Sequence, residues 1–465
     1  MRISFQGAAR QVTGSQYYLE NDSVRFLVEC GMNQGLDDRD EINRRPFVFD
    51  PAMLDFVVLT HAHLDHCGLL PRLYAEGYRG PIYCTRATQD LATMVLLDSA
   101  KIQEEDSKWE QRRFSRRGGG ITPLAPIYTS AEAKGTLKLF VPCDYNEVYT
   151  APRDVQVRFV DAGHILGSSS VEIWWPEGGA RRKAAFSGDL GRHDRPIIRD
   201  PQPPEPSDIT IVESTYGSRL HDPWAETEQL FSRRLQDTLG SGGHVLIPAF
   251  AIGRTQDVLF CLADLIRRGE LPPVPVFADS PMATGTTEIF QEHTEIFDQA
   301  TLDLMAAGQS PFDFPGLRVL RSSVESQRLN EMTEPFIVIS ASGMCSGGRI
   351  RHHLHHHLGH PNDELLFVGY QAEDTLGREI VDGAREVELF GQIHAVRCRV
   401  TYLEGFSAHA DQAGLVAWAE QVGGAGDHIF LVHGEDESLE AFEDKLSDQV
   451  KAAVHIPGLG ETFEV

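Results

Sequence analysis

Within one hexapeptide, His61-Ala62-His63-Leu64-Asp65-His66, the chain places four side chains that can bind a metal ion. Imidazole nitrogens and carboxylate oxygens without thiolate suit a catalytic Zn²⁺, with Mn²⁺ or Fe²⁺ as alternatives. In extended backbone, alternate residues point the same way, so His61 and His63 can share one ion. Asp65 and His66 lie past the turn and can face a second. The run follows Leu54 to Thr60, an apolar stretch of strand length, and precedes Gly68. That places it at a sheet edge, where functional residues collect.

Two ions need further ligands. His164, Asp189 and His409 each end a strand-like run and are flanked by Gly or Ala, small neighbours that let backbone and substrate come close. His61, His63 and His164 would then hold one metal, and Asp65, His66 and His409 the other, with Asp189 bridging.

The elements that must position these residues change character along the chain. Short strand-like runs dominate to about residue 190. Asp200 to Asp208 (DPQPPEPSD) has linker composition. Strands at Ile209 to Val212, His244 to Ile247, Val274 to Ala278, Phe336 to Ser340 and Leu365 to Tyr370 then alternate with helices at Ala225 to Leu239 and Thr255 to Arg268. This is the pattern of a parallel α/β sheet. Short strands return after about residue 390. Helices are also expected at Leu69 to Ala75 and Ala87 to Glu105. The basic segment at 110–120 (EQRRFSRRGGG) reads as a surface loop, with a phosphate-touching arm as the functional alternative.

The 465 residues carry 68 acids against 42 bases, a formal charge of −26. This balance argues against a general nucleic-acid coat protein, while leaving room for an enzyme whose site carries metal ions. Seven scattered cysteines without a CxxC pair read as free thiols of a reducing compartment. The N-terminus has no signal-peptide pattern, and no apolar run approaches a membrane span. A cytoplasmic protein with no membrane association is expected; a homodimer is left open.

The HxHxDH run, Gly163-His164, Ser187-Gly188-Asp189 and Ala408-His409 resemble the motif series of the metallo-β-lactamase superfamily. The span of 220 residues from Asp189 to His409 contains Glu213-Ser214-Thr215-Tyr216-Gly217, Pro248 to Arg254, Asp279 to Ala283 and Ser340 to Met344. This series resembles the β-CASP nucleases, nearest the prokaryotic relatives of the pre-mRNA 3′-end cleavage subunit. The resemblance implies an α/β fold: a metallo-β-lactamase αββα sandwich (1–207 and 390–465) with an inserted β-CASP α/β domain (208–389), a parallel sheet flanked by helices. It also implies a metal-dependent phosphodiesterase acting on RNA. Where the family has Asp in its first motif, this chain has Glu29, in a position that supports the metal ligands. Glu213 would belong to the network that delivers a proton to the leaving oxygen, and Glu379 occupies the place matched to the eukaryotic branch's histidine.

The expected activity is two-zinc hydrolysis of single-stranded RNA, as an endonuclease or a short-range 5′→3′ exonuclease, with Asp65 ligating and orienting the nucleophile. The Ser340–Gly348 loop, with Ser340, Ser342 and Gly343, offers backbone amides to phosphate. Arg254 and Arg349 are candidates for charge-assisted phosphate contacts. The rivals are a DNA nuclease of the same superfamily, a small-molecule metallo-hydrolase, which the insertion disfavours, and a non-catalytic scaffold, which would have lost metal ligands. The cluster His352, His353, His355, His356 and His357 mixes both faces of a predicted helix and reads as packing rather than as a third metal site.

Overall fold

The computed structural model describes residues 1–34, 39–117 and 124–465. Two seven-stranded sheets face each other. The first runs in the order Thr462–Glu464, Arg2–Gly7, Gln16–Glu20, Arg25–Val28, Phe56–Val58, Ile82–Thr85 and Phe140–Cys143. The second runs Ala453–His455, His428–Val432, Ile209–Glu213, Ala180–Phe186, Ser169–Glu177, Gln156–Asp161 and Val148–Thr150. Alternation drives their apposition. Ile3, Phe5, Phe26, Val28 and Phe56 of the first sheet pack on Val157, Phe159, Ile173, Phe186 and Phe430 of the second.

Helices cover both outer faces. Gln412–Gly423 and Asp436–Ser447 bury Leu415, Trp418, Leu439 and Phe442 against the outside of the second sheet. Leu70–Ala75 and Arg86–Arg117 cover the first. The result is an αββα sandwich.

The insertion is a third layer system. Its six-stranded sheet runs Leu317–Val319, Val276–Asp279, Ile337–Ser340, Val245–Pro248, Glu364–Phe367 and Arg399–Tyr402. Every neighbour pair is parallel, so helices such as Arg254–Arg267 and Ile350–His357 must make the crossovers.

Several sequence expectations shift. Ile209–Glu213 lies in the second sandwich sheet, parallel to Ala184–Phe186 and His428–Val432. Arg399–Tyr402 pairs with the insertion sheet. Buried parallel strands read alike in either sheet, so composition places the 208–389 boundary only to within a strand at each end. Residues 110–117 continue the helix Arg86–Arg117 instead of forming a loop, because Glu, Gln and Arg are good helix formers. Residues 118–120 of that basic segment lie outside the described residues. Among the described residues no helix is long and apolar enough to cross a membrane.

Candidate metal centre

Strand ends build the site. After Phe56–Val58 the chain stays extended, with the Leu59 amide donating to the Tyr83 carbonyl at 2.9 Å. His61 and His63 therefore project together, Nε2 to Nδ1, at 3.1 Å. The short helix Leu64–Cys67 then turns Asp65 and His66 to the other side. Its carbonyls are held by amides of an early loop: Ser15 on Asp65, Cys30 on His66 and Met32 on Leu64, at 2.8–2.9 Å. This contact requires Gly31, since a Cβ there would stand 1.7 Å from the Asp65 carbonyl oxygen.

His164 follows Gln156–Asp161 and approaches His63 to 3.3 Å. Asp189 follows Ala180–Phe186 through Gly188, whose φ of +59° and close approach to Ser169 and Thr60 exclude a side chain. Asp189 divides its oxygens. Oδ2 lies 3.4 Å from His61 and 3.5 Å from His164, and Oδ1 lies 3.3 Å from His66 and 3.8 Å from His433. Three overlapping donor groups result: His61, His63, His164 and Asp189; Asp65, His66 and His433; and Asp189, Glu213 and His409.

The structure thus brings His433, not His409, to Asp65 and His66. His433 ends the strand His428–Val432, with Nε2 3.4 Å from Asp65 and Nδ1 3.1 Å from the Thr215 hydroxyl. The sequence carried the signal, because Phe430-Leu431-Val432-His433-Gly434 is again an apolar strand ending in His beside Gly. His409 instead meets Glu213, Nδ1 to Oε1, at 2.9 Å. Glu213 is fixed in turn by the amides of Leu190 and Thr215 at 2.8 and 3.1 Å.

Glu29 is buried with Oε1 accepting from the Thr60 amide at 3.2 Å and 3.6 Å from His66 Nδ1. It thus touches His66 and the backbone that precedes His61. Glu379 is exposed on the helix Leu376–Val381 and does not line the cavity.

The donor set fits a divalent cation. Asp65, Asp189, Glu213 and Glu29 crowd one buried space among imidazoles. Burial alone would lower His66 and His409, yet Asp189 and Asp65 push His66 well up, and Glu213 raises His409. These carboxylates demand positive charge. His63, by contrast, is pushed down to about 3 by burial and by His61, and His164 falls well below its ordinary value by burial and His409. Neutral imidazole is the ligand form. Nδ1 of His66, Nδ1 of His164 and Oδ1 of Asp189 are buried with no hydrogen-bond partner.

A cavity of about 200 Å³ opens on these donors between sandwich and insertion. The insertion contributes Phe250, Ile252, Arg254, Met282, Met344 and Tyr370. Of the five residues expected to meet substrate, Arg254 lines this cavity. Its Nη1 pairs with Asp257 at 2.8 Å, while its buried Nε has no partner. Arg195 shares the same Asp257 oxygen at 2.7 Å and is pushed down to about 10 by burial. Two guanidiniums thus press on one carboxylate, and positive charge is left over at the cavity wall.

The other four do not line it. Ser340 donates its hydroxyl to the Asp279 carbonyl, Ser342 pairs with Gly347, and the Gly343 carbonyl accepts from Gln371. Arg349 is occupied by Asp279 at 2.6 Å. Met344 of the same loop does reach the cavity. In the histidine cluster, His353 and His357 are buried, on Asp279 and Asp363, and His352 and His356 are exposed. None of the five lines the cavity.

Family models match three stretches of the chain: the metallo-beta-lactamase superfamily over residues 9–91, the Beta-Casp domain over 255–380, and the Zn-dependent metallo-hydrolase RNA specificity domain over 393–457. The chain is 38% identical to Ribonuclease TTHA0252 of Thermus thermophilus over 95% of both proteins. It is 30% identical to Transcription termination factor FttA of Methanosarcina mazei, over 94% of this chain and 67% of that protein. A crystal structure of a protein of unknown function from Enterococcus faecalis shares the fold, with a TM-score of 0.52 at 13% identity and 99% coverage of both chains.

Proposed function

The chain belongs to the β-CASP ribonuclease branch of the metallo-β-lactamase superfamily, and from that premise we propose that it hydrolyses single-stranded RNA with two Zn²⁺ per chain, as an endonuclease that can also degrade from the 5′ end. It is a metal-dependent nuclease, a hydrolase. The observation that carries the two-ion reading is Asp189, whose oxygens face separate donor groups.

Bound there, two divalent ions would activate a water for attack on phosphorus and neutralise the charge that develops on the phosphate. The rest is work for side chains. Asp65, held below the usual carboxylate range by His66 and His433 against the effect of burial, stays ionised and orients the attacking water. Glu213 fixes the His409 ring through Nδ1 and leaves the other nitrogen to hold the proton the leaving oxygen needs. The proton donor we assign is therefore His409, oriented by Glu213, rather than exposed Glu379. Arg254 holds the phosphate through its unpartnered Nε. Glu29 keeps His66 in place. The cavity lies between two domains, which favours a single strand over a duplex.

The test is metal analysis with cleavage of end-labelled single-stranded RNA and matched DNA. Two zinc ions at this centre, counted as those lost per chain in a His63→Ala/His66→Ala variant, and internal cuts in RNA alone are expected. Loss of a single ion in that variant would overturn the two-ion reading. Equal cutting of DNA would overturn the choice of RNA and favour a DNA nuclease. Two ions with neither polymer cut would point to a small substrate.

A further inference from the structure

The insertion sheet has a second histidine corner at the end opposite the cleft. Strands Val245–Pro248, Ile337–Ser340 and Glu364–Phe367 are parallel. Their C-terminal ends lead toward Ala249 to Arg254 and the Ser340 loop, beside the cavity. Their N-terminal ends gather His244, Phe336 and Asp363. The helix Ile350–His357 returns the chain to this end and delivers His357.

The corner is built by local hydrogen bonds. The His360 amide donates to the His357 carbonyl at 3.0 Å and the Asp363 amide to the His360 carbonyl at 3.1 Å, so successive turns carry His357, His360 and Asp363 on one short loop beside His244. Asp363 then fixes two residues. Oδ2 accepts from Nδ1 of His357 at 2.7 Å, and Oδ1 accepts from the His244 amide at 2.8 Å.

Two buried nitrogens are left over. His357 is 7% exposed, and with Nδ1–H committed to Asp363 its Nε2 keeps a lone pair that meets no donor. Nδ1 of His244 is also buried without a partner. A carboxylate that fixes one imidazole nitrogen while the other is free is the arrangement that orients metal-bound histidines. Phe336 packs on both rings, with centroids 4.2 and 5.9 Å away, and keeps the corner apolar.

The catalytic histidines provide an internal standard. His61, His63 and His164 have ring centroids 4.9–5.2 Å apart at interplanar angles of 76–81°. His244 and His357 stand 5.2 Å apart at 74°. His360, exposed and 6.2 Å from His357, needs a side-chain rotation to join them. Cys398 borders the corner, its amide on the Leu358 carbonyl at 3.0 Å.

We propose that His244, His357 and His360, with Asp363 orienting His357, bind one divalent transition-metal ion of the zinc class, at a site separate from the catalytic centre. Imidazole donors select such an ion over Mg²⁺ or Ca²⁺. The ion ties the helix that follows the Ser340 loop to the first strand of the insertion sheet, so its role is to fasten the insertion and not to react.

Zinc content after equilibration with Zn²⁺ and desalting tests this. The H244A/H357A double variant is expected to hold one ion fewer than the wild type and to cleave RNA at a rate within twofold of it. D363N is expected to weaken zinc at this site by roughly 10–100-fold. H360A alters an exposed residue and keeps the test usable if the double variant does not fold; it is expected to lose the same ion at lower chelator concentration than the wild type. Unchanged zinc content in the double variant, or an unchanged chelator profile in H360A, would overturn the proposal and leave the corner as a water site.

Discussion

Two sets of histidines in this chain look alike in sequence and behave differently in structure. His352, His353, His355, His356 and His357 are the densest run, yet they scatter. His353 goes to Asp279, His357 to Asp363 and His355 to His394, while His352 and His356 face outward. The imidazoles of the candidate metal centre come from four separate segments and converge within hydrogen-bond distances. Helical residues fan out by about 100° each, so one helix cannot aim five side chains at one point. Strands that end side by side can. Density of ligand-type residues is therefore a weaker sign of a metal centre than strand ends that repeat one pattern.

The largest effect should separate the two sets outright. His63→Ala removes a ligand from the group that includes His61, His164 and Asp189. Even residues that only support ligands cost about 10–100-fold, so the loss of RNA cleavage should exceed about a hundredfold. His356→Ala, on the helix, should change the rate less than twofold. Comparable losses in the two variants would break the contrast. Next in size is Glu213→Gln, which leaves the shape but removes the charge that orients His409. Cleavage should fall about 10–100-fold, with zinc content retained and the pH–rate profile shifted. A loss of zinc with an unshifted profile would make Glu213 a metal ligand instead.

Much of this was legible in the sequence, for definite reasons. The HxHxDH run, His164 and Asp189 were readable because each sits one to three residues past an apolar strand, with Gly beside it. His433 obeys the same rule but stands alone, and its group forms only through Asp65 and His66, 367 positions away in the case of His66. His409 was placed with the wrong partners, because local pattern does not say which strand ends become neighbours. The parallel α/β insertion was legible from strand–helix alternation. Its edges were not, since Ile209–Glu213 and Arg399–Tyr402 have the same apolar pattern whichever sheet they join. Among the phosphate-site candidates, Arg254 and Arg349 are both Arg after a small-residue loop. Only the fold shows that Asp279 occupies Arg349 while Nε of Arg254 is left over.

That difference between the two arginines gives the third prediction. Arg254→Lys keeps a positive charge and loses the planar fork. The expected cost is about 1.5 kcal/mol of a charge-assisted contact, roughly tenfold in kcat/KM, carried mainly by KM. Arg349→Lys should leave KM within about twofold, because its contacts are to Asp279 and to backbone carbonyls. Equal shifts in KM would show that both arginines, or neither, meet the phosphate.

The smallest effect concerns a histidine that joins the two domains. His293 follows the insertion helix Pro281–Glu292 and reaches Asp90 on the sandwich helix Arg86–Arg117, Nε2 to Oδ2, at 2.8 Å. Its Nδ1 meets Glu295 at 3.0 Å. Both nitrogens face carboxylates, so both must carry protons. Burial opposes the charge, but Glu295 and Asp90 raise the imidazole above its ordinary value. A raised value in the folded state stabilises fully below the unfolded value, near 6.5, and that contribution is lost as pH rises through the folded value. Asp90 and Glu295 are 48% and 64% exposed, so solvent screens the pair and limits it to about 0.5 kcal/mol. The wild type should therefore lose about 1 °C more of its melting temperature than His293→Gln between pH 6 and pH 8.5. Parallel melting curves for the two proteins over that range would show that the contact between sandwich and insertion rests on the packing of Met94 and its neighbours against the helix at Gly285, and not on this charge.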